Sequence, residues 1–280
     1  MVAPRIVFLI LFCLIGVLWR IIGYWRRKAG EAVYAAARTA DTAEERDRHC
    51  RLAVMAGHRE ACRMFFFARS DFFEDRKPLE PFKSHGVRMT FYGHYYPSRH
   101  KDLLSDEQQE FCDRLYEFKD GKVHGIEFFK ACMDALKLED EAYHIMFMPC
   151  SSGVKYERRF NRLDWYIGKH RPNLTSGFHD VEIFGERESL HSAKGGEERI
   201  LTRNYRITGD IKGKQVIIVD DVLTTGQSAN DYRKEIEKCG GKVVGAIFYG
   251  KTVEMPPLLL IRLHVWGSHI MDVIKWASKS

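Results

Sequence analysis

The seven cysteines, Cys13, Cys50, Cys62, Cys112, Cys132, Cys150 and Cys239, include no Cys-x-x-Cys pair and are odd in number. This pattern argues against a zinc ribbon or a disulfide framework, and it fits a reducing compartment. Proline is absent from residues 30 to 66, which leaves that alanine-rich stretch free to run as helix. No segment interleaves aromatic and basic residues in the manner of a single-strand nucleic-acid surface. The net charge of +6 and the pI near 8.9 are therefore weak ground for nucleic-acid binding, and no such partner is expected. Part of the basic excess sits at residues 20 to 28, and a phosphate-rich ligand would use the rest.

What is present begins with an apolar N-terminus. Ile6 to Trp19 is uninterrupted, and the run continues through Ile21, Ile22, Tyr24 and Trp25 with only Arg20 inside it. As a helix rising about 1.5 Å per residue, residues 6 to 25 would reach roughly 30 Å, the thickness of a hydrocarbon core. Arg26, Arg27 and Lys28 follow, against Arg5 alone before the run. The charge asymmetry predicts a single-pass membrane anchor over residues 1–28 with the C-terminal bulk in the cytoplasm. The basic cluster lies on the wrong side for a secretory signal, and no small-residue cleavage pattern follows. Residues 29–66 predict a small helical hairpin, whose phrase from Cys50 to Ala61 is similar to Sel-like or tetratricopeptide-type repeats. One hairpin cannot form an array, so it either packs on its own chain or receives a protein partner. Residues 67–87, with Pro78, Pro81 and Gly86, read as a linker.

From residue 88 to 280 the pattern predicts alternating strands and helices. Met89–Tyr96 reads as an entry strand, residues 106–118 and 123–136 as helices, and 143–148 as a buried strand. The loop Pro149-Cys150-Ser151-Ser152-Gly153 then opens a helix carrying Lys155, Arg158, Arg159 and Phe160. A strand, a small polar loop and a basic helix together suit an anion. Cys150 is read as a small loop residue rather than a nucleophile, because no histidine is placed in sequence to activate it.

Residues 216 to 228 carry the densest signal. Val216 to Val219 is a β-branched run expected of a central parallel strand, Asp220 and Asp221 follow at its carboxyl end, and Thr224, Thr225, Gly226, Gln227 and Ser228 open the next helix. Adjacent carboxylates suit a ribose diol, and hydroxyls with free N–H groups at a helix start suit a phosphate. Ala229–Cys239 is the helix that follows, Lys242–Tyr249 the next strand, and Leu258–Trp266 is expected to be another.

This stretch resembles the phosphoribosyl-pyrophosphate signature of type I phosphoribosyltransferases. The resemblance implies an α/β fold with a Rossmann-like parallel sheet flanked by helices, here preceded by the transmembrane helix and the hairpin. The order of Phe118-Lys119-Asp120-Gly121, the 149–153 loop, Arg159-Phe160-Asn161 and the acids is similar, more narrowly, to the ComF-like group over about residues 88 to 255. By this likeness Asp220 and Asp221 bind the ribose hydroxyls and Thr224 through Ser228 the 5′-phosphate. Cys150, Ser151, Ser152 and Gly153 form the pyrophosphate loop, Lys119 approaches the same anion, and Arg158 and Arg159 assist.

The chain departs from the ComF-like pattern in lacking a cysteine-rich zinc module and a lysine in the 149–153 loop. Residues 170–210 match no known acceptor class, although Val181–Phe184 alternates like a strand. The charged stretch 186–199 has the composition of a closing loop, with His191, Lys194 and Arg203 as candidate pyrophosphate contacts. The expected chemistry is phosphoribosyl transfer to a nitrogen nucleophile, a nucleobase or an amine, with magnesium reaching the site through the substrate near Asp220 and Asp221. A non-catalytic membrane-tethered sensor of the sugar or of a nucleotide, and a ComF-like DNA-uptake accessory, are the alternatives. A homodimer is compatible with each.

Overall fold

The computed structural model describes residues 3–138, 142–185 and 204–278, with side chains described from residue 12 onward except at 71, 72 and 276. The chain divides into two compact units, residues 1–73 with 254–280 and residues 74–253.

The first unit is helical. Helix α1 (Ala3–Thr39) runs through the expected apolar stretch into the alanine-rich one without a break. Its second half packs on α2 (Ala43–Met55), and a Cβ at Gly30 would stand 3.3 Å from that of Ala56, so the contact depends on small residues. Thr42 caps α2 by accepting the Glu45 N–H at 3.2 Å. Gly57 takes φ +88°, and His58 Nδ1 then accepts the Ala61 N–H to start α3 (Arg59–Phe67). Asp47 accepts from Arg51 Nε at 2.8 Å and pairs with Arg69, and both guanidinium groups lie over the buried Phe65 ring at 5.5 and 4.5 Å. A single turn, α4 (Ser70–Phe73), closes the segment.

Among the described residues no helix is long and apolar enough to cross a membrane. The expected span over residues 1–28 is thus not found there. Its residues 1–2 lie outside the described residues, and the side chains of residues 3–11 are not described.

The second unit is an α/β sheet. Strands β1 (Phe82–Ser84) and β2 (Val87–Tyr95) form an antiparallel pair, where a linker was expected up to residue 87. Helix α5 (Asp106–Lys119) starts from a capping box between Ser105 and Gln108, and α6 (Ile126–Leu136) follows. Next come β3 (Tyr143–Phe147), α7 (Gly153–His170) and β4 (Leu174–Ser176). A small ribbon, β5 (Val181–Ile183) with β6 (Tyr205–Ile207), precedes β7 (Gln215–Leu223), α8 (Gln227–Lys238) and β8 (Lys242–Thr252). The six-stranded sheet has the order β1-β2-β8-β7-β3-β4, and every pairing except β1 with β2 is parallel.

Strand β7 is central. Val216, Ile217, Ile218 and Val219 are fully buried, as the unbroken β-branched run requires of a strand covered on both faces. An aromatic cluster covers one region of the core: Phe160 packs on Phe147, Tyr156 and Phe118 at ring separations of 4.9, 5.5 and 6.1 Å, and Phe118 stacks on Tyr249 at 5.2 Å. Phe118 immediately precedes Lys119, so this packing also sets where that ammonium stem leaves α5.

The final element corrects the sequence reading. Leu258–Trp266 is not a strand but the first half of helix α9 (Leu258–Ala277), which belongs to the helical unit. A short apolar run does not by itself distinguish strand from helix. Here Pro256 and Pro257 precede the helix, and Ile261 and Val265, four residues apart, are its fully buried pair. The α/β unit accordingly spans 74–253 rather than 88–280.

Phe160→Ala removes a fully buried ring from the aromatic cluster, and is expected to cost about 3–5 kcal/mol. Denaturant unfolding followed through the α/β unit would show an earlier midpoint. An unchanged midpoint would mean that the cluster closes around the cavity without loss.

Candidate functional site

The site follows from the sheet order. Helix α7 leads from β3 outward to β4, while α8 leads from β7 in the opposite direction to β8, so the crevice beyond the carboxyl ends of β3 and β7 is a topological switch point. β3 stops pairing at Phe147, opposite Val219, whereas β7 continues along β8 through Leu223. Asp220 and Asp221 therefore extend past the last β3 pair while still held on β8. The strand is longer than expected, and the acids are part of it rather than of the turn.

The two carboxylates differ in environment. Asp221 is buried, and its Oδ2 pairs with Arg159 Nη1 from α7 and lies 3.7 Å from Lys119 Nζ at the end of α5. The side chains of Arg159, Asp221 and Lys119 are 13%, 12% and 22% exposed, so the screening that weakens surface ion pairs is reduced here. Asp220 Oδ1 accepts the Asp221 backbone N–H at 2.7 Å. Burial, and then the adjacent Asp221 carboxylate, push Asp220 up to about 8, against the opposing charge of Arg159. One acid is held as an ion pair, and its neighbour holds its proton more tightly than a free carboxyl does.

Lys119 thus meets Asp221. It also lies 5.8 and 5.9 Å from the ring centres of Tyr95 and Tyr116, whose hydroxyls hydrogen-bond at 2.7 Å. This tyrosine pair, at the ends of β2 and α5, was not found by sequence reasoning. Its only signal was the position of Tyr95 near the carboxyl end of a predicted strand.

The loop after β3 is compact. Ser152 caps α7 by accepting the Lys155 N–H, and Lys155 Nζ donates to Ser151 Oγ at 3.2 Å. Gly153 is the first residue of α7, and Arg158 is exposed on it, its stem and carbonyl against Gly121. Asn204 Nδ2 donates to the carbonyls of Cys150 and Ser151 at 3.4 and 3.1 Å, a latch that the sequence did not reveal. Burial pushes the Cys150 thiol up to about 12, which suits a packed loop residue and not a nucleophile.

The turn after β7 is open: Thr224, Thr225, Gln227 and Ser228 are exposed, and Gly226 is buried. Gly226 takes φ +81°, and a Cβ there would come within 3.5 Å of Ser84 Oγ and 3.6 Å of the His85 ring. Thr225 Oγ1 accepts the Gln227 N–H, and the first N–H groups of α8 face outward from the helix start. His191, Lys194 and Arg203 lie outside the described residues.

Because Asp220 binds its proton more tightly in the folded chain, its stabilising contribution is complete below its ordinary value of 3.8. That contribution fades as pH rises toward about 8. Asp220→Asn removes the penalty of ionisation. Its melting temperature should exceed the parent's by a few degrees at about pH 9, with the two converging below about pH 4. Parallel profiles across that window would show that Asp220 ionises without penalty.

A model of the phosphoribosyl transferase domain matches residues 174–250, a stretch that holds both acids and the whole hydroxyl-rich turn. An orotate phosphoribosyltransferase from Methanopyrus kandleri is 48% identical over 42 residues, 15% of this chain and 23% of that protein. An adenine phosphoribosyltransferase from Corynebacterium glutamicum is 45% identical over 49 residues, 18% and 25% of the respective chains, so this chain spans about a quarter of the length of these relatives. A solved purine phosphoribosyltransferase from Pyrococcus horikoshii aligns with 57% of this chain and 88% of its own at 19% identity and a TM-score of 0.25. An adenine phosphoribosyltransferase from Thermosipho africanus is 30% identical over a longer stretch of 125 residues, 44% of this chain and 68% of that protein. With two thirds of that relative aligned, and the domain match lying on the acids and the turn, the chain belongs to the phosphoribosyltransferase family.

Proposed function

We propose that this protein binds phosphoribosyl pyrophosphate and transfers its phosphoribosyl group to a nitrogen nucleophile, a nucleobase or an amine, releasing pyrophosphate. The observation that carries this reading is the acid pair at the switch point followed directly by an open hydroxyl-rich helix start. The relatives named for adenine and orotate transfer support a nucleobase acceptor. The motif order around Lys119, Arg159 and the acids supports the narrower ComF-like grouping.

On this reading Thr224, Thr225, Gly226, Gln227 and Ser228 hold the 5′-phosphate through N–H groups and hydroxyls, and Gly226 keeps the cradle clear of a side chain. Asp220 and Asp221 accept from the ribose hydroxyls and fix the ring so that C1 faces the acceptor nitrogen. The bond from C1 to the pyrophosphate oxygen breaks as the nitrogen-to-C1 bond forms, and the acceptor's N–H proton is released. The transition state carries positive charge at C1, by likeness to glycosyl transfer, and the departing anion carries the negative charge. Lys119 and Arg159 stand beside the acids to receive part of that negative charge. Ser151, Ser152 and Gly153, at the start of α7, offer donors to the same anion, with Asn204 bracing the loop.

Magnesium fits this donor set through the substrate. The described residues contain no group of three or more metal-binding side chains, and a magnesium ion commonly takes one or two carboxylates together with substrate oxygens. When bound it would supply neutralising charge to the pyrophosphate, with Asp220 and Asp221 the protein oxygens in reach.

The N-terminal half of α1 supports membrane tethering within the same proposal. Phe12, Leu14, Trp19, Ile22 and Trp25 are each about half exposed or more, and Arg26, Arg27 and Lys28 follow on the side that would face the cytoplasm.

Calorimetric titration of phosphoribosyl pyrophosphate with magnesium into the full chain in detergent tests the site. Asp220→Asn with Asp221→Asn is expected to weaken binding by at least about tenfold, since a hydrogen bond to the charged Asp221 acceptor alone contributes about 1.5–3 kcal/mol. Unchanged affinity in a folded double variant would remove the assignment. Binding to the parent with no pyrophosphate release across a panel of bases and amines would turn the reading to a sensor.

A further inference from the structure

Helix α9 has two faces. Its inward face is fully buried at Ile261 and Val265, is pinned where Arg51 of α2 donates to Ser268 Oγ at 3.2 Å, and carries His264 against the Phe65 ring at 6.2 Å. The opposite face carries Leu259, Leu263, Trp266, Ile270 and Ile274, each 43–61% exposed, repeating at the three- and four-residue spacing that keeps side chains on one side of a helix. At about 100° per residue, Arg262, Asp272 and Lys275 fall on the inward side or at the margins, so the outward sector contains no charge over the length of the helix. An uncharged apolar stripe of this length on a solvent-facing helix marks a contact surface.

Charge identifies the occupant. The helical unit, residues 1–73 with 254–280, holds 15 Lys and Arg against 9 Asp and Glu, whereas the α/β unit holds 29 of each. The net charge of +6 therefore belongs to the helical unit: +5 of it lies on α1, where Arg5, Arg20, Arg26, Arg27, Lys28 and Arg38 face only Glu31, and +1 lies on residues 254–280, while the α/β unit is neutral. A second copy seated on this face would bring two units of +6 together. An anionic phospholipid surface offers the opposite charge and an apolar layer beneath it. The same unit carries the exposed apolar residues of α1. Spanning is ruled out for α9 by its own composition, since Arg262, Asp272 and Lys275 are spread along its 20 residues and no described helix is long and apolar enough to cross.

We infer that α9 lies along an anionic membrane surface, its outward stripe in the boundary between headgroups and acyl chains. It is a second lipid contact besides α1, and it holds the helical unit against the bilayer. This inference extends the membrane part of the proposed function and is independent of the nucleotide site.

The test uses the full chain reconstituted into vesicles, with Cys13→Ser and Cys239→Ser removing the exposed thiols and an environment-sensitive fluorophore attached at Ile270→Cys. Ile270 is 52% exposed, so the change does not disturb the packed face. In phosphatidylcholine vesicles containing phosphatidylserine, the emission should shift to the blue and gain intensity severalfold. The shift should be smaller in phosphatidylcholine alone, and absent for a probe at Lys238→Cys on α8. Leu263→Glu introduced beside the probe should abolish it. An emission unchanged by anionic vesicles overturns the inference, even if α1 keeps the protein on the bilayer. A shift that grows with protein concentration in detergent without vesicles overturns it too, by assigning the face to a second copy. Neither result bears on phosphoribosyl pyrophosphate binding, which is measured separately.

Discussion

A carboxylate buried at the end of a central strand needs a compensating charge, and in this protein that need organises the site. Asp221 is brought into the crevice by β7, and its charge is met by Arg159 from α7 and Lys119 from α5. One side chain thus ties together the strand and two helices that leave the sheet at different points. Leaving either cation unpaired in so enclosed a position would cost more than the pair contributes in solvent. The neighbouring Asp220 keeps its proton more tightly for a different reason: its burial and the adjacent Asp221 carboxylate outweigh the opposing charges of Arg159 and Lys119.

A second polar centre braces the sheet away from the acids. His144, buried on β3, hydrogen-bonds through its two ring nitrogens to Thr175 and Asp180, each at 2.7 Å. Burial lowers its proton affinity below the ordinary imidazole range, with Asp180 opposing. Asp180 also accepts the Thr208 N–H through its backbone carbonyl, so β3 is joined to β4 through His144 and to the end of the β5–β6 ribbon through the His144–Asp180 pair. Gly177 and Gly209 leave the room this knot requires, since a Cβ at either would stand 2.6 Å or less from His144 or Asp180.

Much of this was legible in the sequence for reasons that are local. The run from Val216 to Val219 dictates a strand buried on both faces, the hydroxyl-rich turn dictates an open helix start, and the capping and turn residues mark the helices at 106 and 126 within a few residues. The helical run near the N-terminus was equally clear from composition. What was not legible depended on partners distant in the chain. Asn204 lies about fifty residues from the loop it latches, and the tyrosine pair joins positions 21 residues apart through packing of β2 against α5. The Leu258–Trp266 run fits a strand as well as a helix, because a short apolar segment suits either period. Its helical state rests on a buried pair four residues apart against α2 and α3, a surface supplied by residues some two hundred positions earlier.

The sequence by itself determined the type of most elements, the acid pair and the hydroxyl-rich turn, because each rests on periodicity or on chemistry within about a dozen consecutive residues. Only the tertiary structure decided which cations meet Asp221, that its neighbour should hold its proton more tightly, and that the last helix returns to the first unit. These follow from long-range packing, where burial and charge are set by whichever elements come together, and adjacency in the chain carries no record of it.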